Sequence, residues 1–209
     1  KQASTRRGVM SSLLVRVGAV SAALAGLLVI GQEAWALPTG GVLAEGRAES
    51  AVHTAQMLLL VFGIVGLYLA QQRAAGAFGQ VATLVALLGT VTLFGAALTE
   101  VTILPELADS GSPLATEPPP VFVTIGLASF ALYLLGLVLF GVATWRAGVL
   151  PWRAGALLTV GIVLGVALNG TVPGVLAVYG AALVWLGVAA LRRSGQPAAR
   201  RAEAGLAAG

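Results

Sequence analysis

Seven side chains in this 209-residue chain carry the chemistry that its composition allows: Glu33, Glu49, His53, Gln56, Glu100, Asn169 and Tyr179. Glu49, His53 and Gln56 recur at i, i+4 and i+7, so a helix through them presents all three on one face. Counting from Ala77 at 1.5 Å per residue carries Glu100 about 34 Å along a helix, to the level where Glu33 ends a first apolar run and His53 begins a second. Asn169 closes a fifth run, and Tyr179 lies less than two turns into a sixth. Buried polar groups in a helix bundle need one another as partners, which suggests a pocket lined by all seven. A carboxyl held among apolar helices can serve as a general acid and an imidazole beside it as a base. Glu100, Glu33 and His53 are therefore the candidate catalytic residues, and Glu49, Gln56, Asn169 and Tyr179 the candidate ligand-binding ones. The blander alternative stands beside this: acids at helix ends simply meet interfacial water, and Glu49 with His53 is an ordinary exposed i,i+4 pair.

Carboxylates with one imidazole also suit a divalent cation. The chain has a single His, no Cys, and no HxxxH or HExxH, so no metal site and no cofactor are expected. Walker, Rossmann and Ser-His-Asp patterns are missing as well.

The elements that position these residues follow from composition. The chain is 58% hydrophobic and only 10% charged, with mean hydropathy +0.94, against about 25% charged residues in an ordinary soluble domain. Too few charges are present to cover a water-facing globule, so the expected solvent is a bilayer. A crossing helix needs about 20 apolar residues. Six runs of that kind are present: 13–32, 51–70, 77–98, 121–143, 150–169 and 173–191, followed by a tail over 192–209. A closed barrel would show alternating segments of about ten residues, and none occurs. The expected fold is all-α, a single-domain (1–209) polytopic transmembrane bundle of six spans.

Cations set the orientation, because Lys and Arg are retained on the cytoplasmic side. With both termini cytoplasmic, eleven of the twelve cations lie inside and only Arg47 outside, while seven of the eight acids, from Glu33 to Glu117, fall on the outer side. Residues 1–36 also resemble an export signal, with Arg6-Arg7 before an apolar run and Ala34-Trp35-Ala36 at its end. That run exceeds the 7–15 residues of a signal, and Glu33 sits beside the cleavage site, so a retained first span is expected. Inner connections are short. The outer ones, 33–50 and 99–120, are longer, and the second contains Pro105, Pro113 and Pro118-Pro119-Pro120. Gly161 and Gly165 form a GxxxG, and Ala19, Ala22, Ala23 and Gly26 give the first span a small face for helix contact. Placing Arg73 on Arg146 also places Gly63 on Gly136, a weak internal repeat.

Four stretches resemble the pattern of small six-span bacterial integral membrane proteins to which no activity is assigned. They are GLYL followed by basic residues (Gly66–Leu69, then Arg73), an acid before a proline at the end of the third span (Glu100, Pro105), the inner turn RAGVLPWRAG (Arg146–Gly155), and AALVWLGVAAL (Ala181–Leu191). The resemblance covers about 51–191 and implies architecture and a bacterial inner-membrane location, with no functional residue to carry over.

Three functions remain open. The first is a non-enzymatic membrane protein that binds a hydrophobic or cationic ligand, or a partner protein, at its acidic outer side. The second is an acid-catalysing enzyme on an isoprenoid or lipid, similar to membrane terpene cyclases. The third is an accessory subunit of a larger membrane complex. The midplane offers only hydroxyls, Ser21, Thr83, Thr90, Ser129, Tyr133 and Thr159, which disfavours ion conduction. The lipid bilayer is the expected partner; Arg192, Arg193, Arg200 and Arg201 suit anionic headgroups, and nucleic acid is not needed.

Overall fold

The computed structural model describes residues 2–37, 47–115, 117, 119–168 and 171–195. Among them the chain forms five helices and a 3-10 turn at Pro113–Ala115. The helices are α1 (Gln2–Ala36), α2 (Arg47–Asp109), α3 (Pro120–Ala147), α4 (Trp152–Leu168) and α5 (Ala177–Ser194). Three are long and apolar enough to cross a membrane, over Ser12–Ala36, Ala48–Asp109 and Pro120–Ala147; Trp152–Leu168 is apolar but shorter.

The second helix is two legs. At Gly76 the backbone takes φ 58° and ψ −160°, a conformation open to glycine and closed to residues with a Cβ. The chain reverses there, because His53 on the first leg and Glu100 on the second are electrostatic neighbours. The matching turn after α3 ends on Gly148 in the left-handed region at φ 63°, its N–H donating to the Trp145 carbonyl. Around the bundle, α1 packs on α5 and α2, α2 on α3, α3 on α4, and α4 on α5, which closes a ring.

The ring carries large apolar side chains on its outside as well as in its core, which holds Leu60, Ile64, Leu137, Phe140 and Leu158 beside many alanines. Ala19, Ala22, Ala25, Ala86, Ala154 and Ala182 are buried, whereas Leu84 and Leu127, each 66% exposed, face outward with Ile125 and Leu88. Small residues inside let backbones approach, and large apolar ones outside need a lipid-like solvent. A Cβ on Gly26 or Gly180 would collide with the opposing helix, which fixes the α1–α5 contact on those glycines. Gly63 lies against Ala22 of α1 and Gly136 against Ala86 of α2, so the two glycines aligned by the internal repeat each seat their helix on the preceding leg of the chain. The hydroxyls of Thr83 and Thr90 donate to the carbonyls of Gly79 and Ala86, four residues back, at 2.7 Å.

Three boundaries differ from the sequence expectation. The outer connection 99–120 is helical as far as Asp109: Pro105 lies inside α2, although a proline there forfeits its N–H bond and crowds the carbonyl four residues back. Leu150 and Pro151, expected to open the fifth span, form the turn before it, and the Pro151 carbonyl accepts from the Ala154 and Gly155 N–H groups at the start of α4. Pro173–Leu176, expected in the sixth span, lie in a turn with Gly174 at φ 83°, so α5 begins at Ala177.

Candidate functional site

A cavity of about 770 Å³ opens at the end of the ring where α1 stops and α2 begins. Every helix contributes to it. Glu33 arrives from the end of α1; Glu49, His53 and Gln56 stand on successive turns of the first leg of α2, and Glu100 comes from the second. Tyr133 of α3, Gly165 of α4 and Tyr179 of α5 complete the lining, with apolar surface from Met57, Leu93, Phe130 and Ile162. Six of the seven residues singled out by spacing thus share one cavity. The seventh, Asn169, lies outside the described residues.

The polar groups are graded by depth. Glu33, Glu49 and His53 are half-buried and Glu100 is exposed, so the carboxylates form a rim. One turn deeper than His53, Gln56 is only 5% exposed, and its carboxamide oxygen has no hydrogen-bond partner. Deeper still, the buried hydroxyls of Tyr133 and Tyr179 join at 3.1 Å across the ring. Two glycines make that pairing possible. A Cβ on Gly89 would collide with the backbone of Tyr133, and one on Gly161 would stand 2.8 Å from the Tyr179 nitrogen. The GxxxG of α4 therefore serves internal contacts: Gly161 meets the Tyr179 backbone, and Gly165 makes room for the Leu176 side chain beside the cavity.

Sequence spacing missed Tyr133, Gln32, Ser50 and Phe130. Tyr133 was visible only as one midplane hydroxyl among six; the signal that marks it is a second tyrosine, Tyr179, on a helix that must cross the same ring. Gln32 and Ser50 stood beside Glu33 and Glu49 in the chain and were hidden by them.

Among the described residues no three His, Asp or Glu side chains cluster closely enough to hold a metal ion. What the geometry offers is a receptacle with an apolar and aromatic wall, one buried acceptor without a donor, and a ring of carboxylates at the mouth. The chain matches no protein-family model, no curated protein and no solved structure.

Proposed function

We propose that the chain is a multi-pass protein of the bacterial inner membrane, a six-span bundle with both termini in the cytoplasm, that binds an amphiphile with an apolar body and a cationic, hydrogen-bond-donating head in this cavity from the outer side. The six spans are supported by the reversal at Gly76, which turns a helix far longer than any bilayer is thick into two legs of crossing length. The orientation is supported by the partition of eleven cations against seven acids.

The observation that carries the binding reading is the Gln56 oxygen. A buried acceptor without a donor costs about 1–3 kcal/mol, which a ligand N–H or O–H in the cavity would recover. Glu33, Glu49 and Glu100 select a positive head over a negative one, and the cavity volume suits a molecule of drug or single-chain lipid size. Equilibrium binding of straight-chain amines, alcohols and carboxylic acids of equal length tests this. The amine is expected to bind most tightly and the acid most weakly, and Gln56→Leu should weaken the amine about tenfold, or about 1.4 kcal/mol. Equal affinity for acid and amine, or unchanged binding in Gln56→Leu, contradicts the reading.

A second reading is favoured by the juxtaposition of His53 and Glu100 across the two legs: an acid-catalysed step on an isoprenoid or lipid, with Glu100 or Glu33 donating the proton. It ranks second because Glu100 is exposed, while such an acid works best encased. Turnover that survives both Glu100→Gln and Glu33→Gln removes it.

A further inference from the structure

At the other end of the bundle a second groove of about 780 Å³ runs along the outer face of α5. Its floor is the stripe Ala181, Trp185, Val188 and Arg192, spaced i, i+4, i+7 and i+11. Leu27 of α1 forms one wall, and the turn carrying Val149 and Trp152 the other. The twelve residues from Ala181 to Arg192 span about 16 Å, close to half of a hydrocarbon core of about 30 Å. Arg192 and Arg193 lie at one end of this apolar strip. Trp185, 43% exposed, and Trp152 offer ring faces along the way.

Among the described residues the charge here has no acidic counterpart at the same end. The described carboxylates, from Glu33 to Glu117, belong to the cavity end of the ring. Arg146 and Arg153 of the same end are already engaged, 5.2 Å from the Phe78 ring and 5.5 Å from the Trp152 ring. Arg192 and Arg193 stand over a groove whose length, apolarity and sign match one molecule.

We infer that this groove is a binding site for a single anionic phospholipid of the inner leaflet, its phosphate held by Arg192 and Arg193 and an acyl chain laid along Val188, Trp185 and Ala181. The inference rests on the bilayer placement of the bundle, which extraction of membranes with alkaline carbonate checks separately. It is independent of the cavity at the opposite end.

Native mass spectrometry of the full chain titrated with dioleoyl phosphatidylglycerol or dioleoyl phosphatidylcholine tests it. The wild type should retain one phosphatidylglycerol at about fivefold lower concentration than phosphatidylcholine. Arg192→Gln with Arg193→Gln should abolish that preference. Arg73→Gln with Arg146→Gln, which removes the same charge elsewhere on this end, should preserve it. Val188→Trp, which fills the groove and leaves both guanidiniums, should reduce retention of either lipid. Equal loss of preference in the two double variants would mean diffuse surface charge and overturn the inference, as would unchanged retention in Val188→Trp. A dimer that Val188→Trp converts to monomer while lipid retention stays constant would make the groove a contact between copies and overturn it too.

Discussion

The two ends of the ring are built from the same kinds of helices and differ in how the chain turns. At the basic end the legs of α2 are joined through one glycine, and α3 and α4 through Gly148–Pro151. Helices so tightly joined converge: the Gln71 amide donates to Thr144 at 2.9 Å, with both residues buried, although the Gln71 carboxamide oxygen, like that of Gln56, has no hydrogen-bond partner. Trp145 and Trp152 meet at 6.3 Å between ring centroids, and Arg146 lies over Phe78. At the acidic end longer connections leave the helices apart, and the space between them is the cavity with the unpartnered Gln56 oxygen. Short turns close the interior of the ring and leave only an outer groove at that end, whereas long ones leave room inside it for a ligand.

Substitutions at the two ends should separate accordingly, with stability read by reversible unfolding in mixed micelles. The largest effect is expected at the close approach beneath the cavity: Gly89→Leu drives a side chain into the Tyr133 backbone and should cost about 3 kcal/mol, with loss of the tyrosine pairing. A wild-type midpoint in that variant would show that the pairing does not shape the cavity floor. Next comes the reversal at the basic end. Gly76→Ala places a Cβ at φ 58° and ψ −160° and should cost about 2 kcal/mol, although nothing crowds the site sterically; Gly76→Asn should lose as much, since asparagine is at ease in the left-handed helical region and not at this ψ.

Two buried amides should then move stability in opposite directions. Thr144→Val strips the Gln71 amide of its acceptor at the closed end and should cost about 1–2 kcal/mol. Gln56→Leu removes an unpartnered oxygen at the open end and should leave stability unchanged or raise it by about 1 kcal/mol. Destabilisation of equal size in both would show that Gln56 is structural. The smallest effect, about 0.5 kcal/mol, is expected for Arg146→Gln, which removes an exposed cation from the Phe78 ring.

Much of the cavity was legible because a helix converts spacing into depth. The i, i+4, i+7 series from Glu49 and the count from Ala77 to Glu100 put the rim residues at one level before any contact was known. Helix ends read less well. Pro105 looks like a terminator, yet the helix runs through it, while Pro151 and Pro173 look like tolerable first residues and stand in turns. Proline excludes one hydrogen bond and leaves the rest of the decision to packing. The tyrosine pair was hidden for a different reason: its partners are 46 residues apart on α3 and α5, and only the ring order brings them together.

The absence of cysteine from the chain makes the difference between the two ends directly measurable. Single cysteines at Leu93, in the cavity wall, and at Thr144, at the closed end, can be exposed in intact cells to a thiol reagent that does not cross membranes. Leu93→Cys should react from the outer side and be protected by a long-chain amine, while Thr144→Cys stays unreactive. Reaction at Thr144→Cys from the medium, or reaction at Leu93→Cys that no amine slows, would contradict an outward-opening cavity that receives a cationic amphiphile.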